Sequence, residues 1–290
     1  MHTSDTVRRR WFLGSPGPWH TRAWLPFALA ACIPLFASGE EITVRWRSQV
    51  LKPDASGHNR WEVIQTQKAL AARETAIIIC DMWDKHWSRG ATERVGQMVP
   101  RMNEVVKAAR ARGVTIVHAP SDTMDFYRDH PARKRVLAAP RVAMPPEAPH
   151  PDPPQPVDAS DGGSDTGEKP WHKAWSRQHP GIEIDPDRDG ISDNGQEVWS
   201  FLAERGVKNV ILMGVHTNMC VLGRSFAIKT MVRRGKNVML VRDLTDTMYN
   251  PARSPYVSHD EGTRLVIEYI EKFWCPTIAG EDLLGTGTAR

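Results

Sequence analysis

The sequence predicts an α/β protein of three layers, α/β/α, with a central, mostly parallel sheet. Three observations lead there. Short runs of branched apolar residues recur at Ala76 to Cys80, Val114 to His118, Lys208 to Met213 and Asn237 to Val241. Stretches with helical apolar spacing lie between them. Glycines at 113, 206, 214 and 235 punctuate the changes of period. Strands buried on both faces read as continuous apolar runs, and strands alternating with helices imply parallel crossovers.

The chain has 290 residues and is 40% hydrophobic, enough for a globular core in one large or two small domains. Residues 1–39 read as a secretory signal peptide: basic Arg8 to Arg10, apolar Ala23 to Ser38, then small Ala37-Ser38-Gly39 ahead of Glu40-Glu41. The apolar stretch is short for a bilayer and is broken by Pro26 and Pro34, so no stable membrane span is expected after cleavage. Arg9-Arg10 resembles a twin-arginine signal, and Leu29 to Cys32 a lipoprotein box. Apolar residues continue past Cys32, which favours cleavage near Gly39 and a periplasmic or extracellular product.

Residues 40–73 mix alternating runs such as Ile42 to Trp46 with the polar stretch Lys52 to Asn59, and read as an extension wrapped over a main domain at 74–290. In that domain the strand Ala76 to Cys80 precedes a helix over Thr92 to Arg112, which buries Val95, Met98, Met102, Val105, Val106 and Ala109. Gly113 ends it, and the strand Val114 to His118 follows. Pro140 to Pro170 holds nine prolines and is expected to be a long surface excursion. Gly181 to Ile184 is expected as a short strand and Asn194 to Arg205 as a helix. The strand before Gly214 leads into a helix that starts at Cys220 and continues to Gly235. Asn237 to Val241 is the next strand, and Asp260 to Phe273 the final helix.

The formal charge of +4 excludes little. Arg8, Arg9, Arg10 and Arg22 against Asp5 place +3 of it in the leader, which leaves 34 basic and 33 acidic residues in the remainder. No basic stripe remains for a nucleic-acid partner. Past the leader the cysteines are Cys80, Cys220 and Cys275, too few for a disulfide framework, and Cys80 within an apolar strand reads as an inert core thiol.

Ligand sites of parallel sheets lie outside the carboxyl ends of the strands. Asp81 ends the first strand there, Cys220 follows the strand closing at Met213, and Asp243 and Asp246 follow Val241. At the first turn of a helix, Cys220 is placed for a lowered thiol pKa. A carboxylate beside a thiol can take its proton and return it to a leaving amine, which makes Asp81 and Cys220 the catalytic candidates.

These residues resemble the isochorismatase-like cysteine hydrolases, a family that includes nicotinamidases. The resemblance covers roughly residues 74–281 and rests on the apolar strand ending in Asp81 and on Gly-Val-x-Thr-x-x-Cys-Val at Gly214 to Val221. It implies cleavage of a C–N bond in a small amide through a thioester on Cys220, with Asp81 as base and acid. It also implies no cofactor, a homo-oligomer, and a cis peptide after Val215 that turns backbone N–H groups near His216 and Cys220 toward an oxyanion. A lysine belongs to the family triad, roughly thirty residues before the cysteine. Here that window reads Asp185 to Asp193 without one, so Lys173 or Arg177 is the expected substitute. The rival is a non-catalytic or altered-activity small-molecule binding protein on the same scaffold. A redox role for Cys220 is a second rival.

Val215, His216, Trp83, Trp175 and Arg177 are the expected substrate-binding residues, and Trp83, Trp87, Trp171 and Trp175 would suit a planar or apolar substrate. Asp185, Asp187 and Asp189 ahead of Gly190 open like a calcium loop, but Gln196 stands at the closing position, and a solvated acidic turn is the better reading. Asp84 and His86 offer donors for a divalent metal but do not stand where some nicotinamidases hold one, after the second strand; that region here offers His118, Asp122, Asp125 and His130, and with a polar pocket wall as the alternative no metal is assigned.

Overall fold

The computed structural model describes residues 40–169 and 172–285. The expected leader at 1–39 and Trp171 lie outside them. Eight strands form one sheet in the order β2-β1-β8-β7-β6-β3-β4-β5. They are β1 (Glu41–Pro53), β2 (Asn59–Ala71), β3 (Thr75–Cys80), β4 (Thr115–Ala119), β5 (Gly190–Ile191), β6 (Asn209–Val215), β7 (Asn237–Asp246) and β8 (Thr277–Ile278). Strands β3 to β8 pair in parallel, while β1 runs antiparallel to both β2 and β8. The helices are α1 (Arg89–Ala111), α2 (Pro131–Ala138), α3 (Gly195–Glu204), α4 (Cys220–Gly223), α5 (Ile228–Arg233), α6 (His259–Phe273) and α7 (Glu281–Leu284).

The apolar strand runs resolve into two faces because side chains alternate along a strand. Ile78, Cys80, Val210 and Leu212 face α3, α4, α5 and α6 through Phe201, Leu222, Met231 and Ile270. Ile77, Ile79, Ile211 and Met213 face α1 and α7 through Met102, Val105, Val106 and Leu283. The three layers are therefore α/β/α, and β3 and β6 are covered on both sides.

The structure corrects four details. Residues 40–73 are mostly two long strands of the central sheet: Ile42 and Val44 alternate into the core while Thr43 and Arg45 face out. Gly181 to Ile184 is not a strand; Asn103 Oδ1 takes the Glu183 N–H and the Arg110 fork takes its carbonyl, so its backbone is bonded to side chains. The short strand comes later, at β5. The helix after Cys220 breaks at Arg224 and resumes as α5, since Arg224 has extended dihedrals (φ −62, ψ 156). Residues 140–169 of the excursion have no regular structure, yet Val157 and Ser164 within it are buried.

Helix ends agree with local chemistry. Ser88 caps α1, Asn194 caps α3 and Ser258 caps α6, each accepting first-turn N–H groups. Among the described residues no helix is long and apolar enough to cross a membrane.

Candidate active site

Asp81 is the first residue beyond β3 and is fully buried. Its φ of 48 lies in the left-handed region, which Asp enters more readily than most residues, and it redirects the chain where the strand ends. Oδ1 accepts the Ser121 N–H at 2.7 Å, and Oδ2 accepts Arg224 Nε at 3.2 Å. The Cys220 thiol lies close enough to the same carboxylate to feel its charge.

Cys220 opens α4, directly after the turn from β6. Gly214 makes the approach possible: its φ is 114, and a methyl there would lie 2.0 Å from the Cys80 carbonyl oxygen on β3. The Val215–His216 peptide is cis. The loop is stapled to the end of β7. Thr217 N–H donates to Asp246 O at 2.8 Å, Thr217 Oγ1 meets Thr245 Oγ1 at 2.7 Å, and Asn218 exchanges two 3.0 Å bonds with the Met248 backbone.

Burial pushes the Cys220 thiol up to about 12, with the Asp81 charge adding to the shift and the Arg224 charge opposing it. Burial also raises Asp81 above the ordinary carboxylate range, against the pull of Arg224, Cys220 and Ser121. Helix α4 has only four residues, so little of the expected helix-dipole effect is available to the thiol. The resting thiol is therefore protonated, and it would become a nucleophile only as its proton is removed.

A cavity of about 300 Å³ opens over the thiol, lined by Trp83, Trp87 and Trp175 with His86, Asp122, Gly162, His216, Met219, Cys220, Arg224 and Met248. Trp83 and Trp175 stack with centroids 4.1 Å apart, and His86 lies parallel to Trp175 at 5.7 Å. Burial lowers His86 to about 3 and His216 to about 4, so both imidazoles are neutral near pH 7. His216 Nε2 is buried without a hydrogen-bond partner among the described residues. The wall supplied by Gly162 belongs to the excursion, which Arg94 anchors through a fork to Asp165 at 2.8 and 3.1 Å.

The structure brings Asp81, Cys220, His216, Trp83 and Trp175 together, with Val215 buried behind the loop. It places the two expected cations elsewhere. Lys173 Nζ donates to the Asp122 carbonyl at 2.5 Å, and Arg177 lies over the Phe126 ring. The cation touching Asp81 is Arg224. It stands four residues after Cys220, a spacing that puts two side chains on one helical face and was readable in the sequence.

The remaining donor sets are occupied by protein partners. Asp189 accepts from Arg110 and meets His118, and Asp185 is capped by Arg188. Asp84 accepts from Ser176. No described group of three or more His, Cys, Asp or Glu is arranged for a metal ion.

Comparison with known proteins supplies the context. The isochorismatase domain matches residues 75–254. No curated protein matches the sequence. Among solved structures, a cysteine hydrolase from Pseudomonas syringae pv. phaseolicola 1448A is 18% identical, covers 74% of this chain and 92% of its own, and has a TM-score of 0.46. A putative isochorismatase from Burkholderia xenovorans LB400 is 17% identical, with coverages of 75% and 91% and a TM-score of 0.45. N-carbamoylsarcosine amidase from Thermoplasma acidophilum is 15% identical, with coverages of 59% and 83% and a TM-score of 0.36.

Proposed function

The chain belongs to the isochorismatase family of hydrolases, and from that premise we propose that it cleaves the C–N bond of a small, uncharged amide through a thioester on Cys220. The observation that carries this reading is the placement of the Cys220 thiol on the cavity wall, close to the charge of the buried Asp81. As Sγ bonds to the carbonyl carbon, the S–H bond breaks and its proton passes to Asp81. The carbonyl electrons move onto oxygen, beside backbone N–H groups of the His216 to Cys220 loop. When the tetrahedral intermediate collapses, the C–N bond breaks and Asp81 returns the proton to the departing amine. Water, losing its proton to Asp81, then bonds to the acyl carbon; the C–S bond breaks, the acid leaves, and Asp81 returns the proton to Sγ.

The walls favour an uncharged and flat acyl group. Three indoles and two neutral imidazoles offer ring faces, and the described cation lining the cavity, Arg224, already bonds to Asp81. His216 Nε2 is a buried polar group left for the substrate. A panel of primary amides tests this: benzamide against the anion succinamate, with ammonia release as the readout. We expect release from benzamide, little from succinamate, and none with Cys220→Ala, which should still quench tryptophan fluorescence on binding. Ligand binding without ammonia release from any amide would favour the binding-protein reading. Export is proposed on the leader alone, and cell fractionation with antibody detection tests it: protein confined to the cytoplasm would refute it.

A further inference from the structure

Among the described residues no lysine touches Asp81, and the cation that does has a different origin. Arg224 arrives from the nucleophile's own segment, where its N–H closes the turn on the Cys220 carbonyl at 3.0 Å. Its Nε donates to Asp81 Oδ2 at 3.2 Å, its Nη2 lies 3.8 Å from Asp122 Oδ2, and its side chain is 34% exposed at the cavity wall.

We propose that Arg224 takes the part of the missing lysine, as a fixed positive charge that keeps the buried Asp81 ionised and stabilises the Cys220 thiolate while its proton leaves. This rests on Cys220 being the nucleophile. Three observations carry it. Asp81 is fully buried, and a carboxylate removed from water without a cation beside it takes up a proton and ceases to be a base. The four-residue α4 leaves the thiolate without the support of a long helix. Lys173 and Arg177 are held elsewhere. A guanidinium also stays charged at every pH at which the enzyme could work, so this site is not switched off by loss of the cation's proton as a lysine-activated site can be. The broken helix at Arg224 has a function on this account. Its extended dihedrals end α4 one turn past the sulfur, and there the fork reaches back to Asp81.

The charge is separable from packing by alkylating Cys220 with iodoacetamide from pH 6 to 10, in the absence of any substrate. Peptide mass mapping identifies the modified cysteine, Cys80 and Cys275 being buried. Arg224→Met removes the charge and the donor, Arg224→Gln keeps a donor without charge, and Arg224→Lys keeps charge. Thermal melts select the folded variants. The proposal requires alkylation at pH 7.5 to slow by about tenfold or more in the Met and Gln variants, since loss of an adjacent cation shifts an ionisation by about one unit or more. The Lys variant should stay within about threefold of the unaltered protein. Unchanged rates in a folded Met or Gln variant, or a Lys variant as slow as those two, would overturn it. A Cys220 that depends on Arg224 in this way but supports no amide turnover would refute the hydrolase reading and leave this proposal standing.

Discussion

The Asp246 carbonyl accepts the Thr217 N–H at 2.8 Å, so the end of β7 holds the loop that carries Cys220. The Asp246 side chain is itself held from two sides, by Arg94 Nε at 2.8 Å and His259 Nε2 at 2.9 Å. Arg94 in turn grips Asp165 of the excursion, whose neighbour Gly162 lines the cavity. One polar cluster thus joins α1, α6, the Cys220 loop and the outer wall of the cavity.

Replacing Arg94 by Ala leaves Asp246, with a side chain 10% exposed, short of its cation. Urea denaturation should show a loss of about 2 kcal/mol, the scale of a charged hydrogen bond within a buried pair still partly served by His259. An unchanged midpoint and slope would show that the cluster does not support the fold.

The same cluster sets a pH dependence. Burial alone would raise Asp246, but the His259 hydrogen bond and the Arg94 charge outweigh it and leave it below the ordinary carboxylate value. Burial alone would lower His259, but Asp246 outweighs it and leaves it raised. The Asp246 share of stability is full above about pH 4 and is lost as pH falls through its depressed value. The His259 share is full below about pH 6.5 and is lost as pH rises through its raised value. The gap in melting temperature between the unaltered protein and His259→Gln should therefore be widest between about pH 4 and 6.5 and should narrow toward pH 9. A gap that stays constant to pH 9 would contradict the pairing.

Gly214 and Gly206 separate two kinds of glycine requirement. Gly206 (φ 65) has no neighbour that a methyl would meet, whereas a methyl at Gly214 (φ 114) would lie 2.0 Å from Cys80 O. Gly206→Ala should cost about 1 kcal/mol, for the left-handed backbone alone. Gly214→Ala should cost about 3 kcal/mol or more, because β3 and β6 have to separate. Equal losses in chemical denaturation would mean that the close approach relaxes at no energetic cost.

Much of this arrangement was legible beforehand. Apolar runs ending at Cys80 and Met213 read as buried strands of one parallel sheet, whose carboxyl ends carry Asp81 and Cys220; that the two strands are neighbours came from the structure. Arg224 was missed because the cation was sought upstream, where the family lysine stands, although the spacing from Cys220 pointed to it. The helix break at Arg224 had no signal, since Ser225 and Phe226 are compatible with a helix. The alternating run Ile42 to Trp46 reads as part of a wrapped extension, and nothing in it names β8 as a partner. The excursion's role was hidden for a physical reason: proline-rich segments do not show periodicity, and the anchor from Arg94 to Asp165 joins residues 71 positions apart.

The acid side of turnover should follow Asp81. Because burial raises Asp81 despite Arg224, kcat/KM should fall with acid through a value above the ordinary carboxylate range, about 4. Asp81→Asn should lower kcat/KM by about a thousandfold and abolish that limb. A pH profile of the same shape in the Asn variant would assign the limb to another group.

The most direct test of the central claim is the mass of the protein quenched in acid during turnover of a primary amide. The account predicts an added acyl group on the peptide containing Cys220, absent in Cys220→Ala, with ammonia release lost together with it. Undiminished ammonia release by Cys220→Ala, with no adduct at position 220 in the unaltered protein, would contradict it.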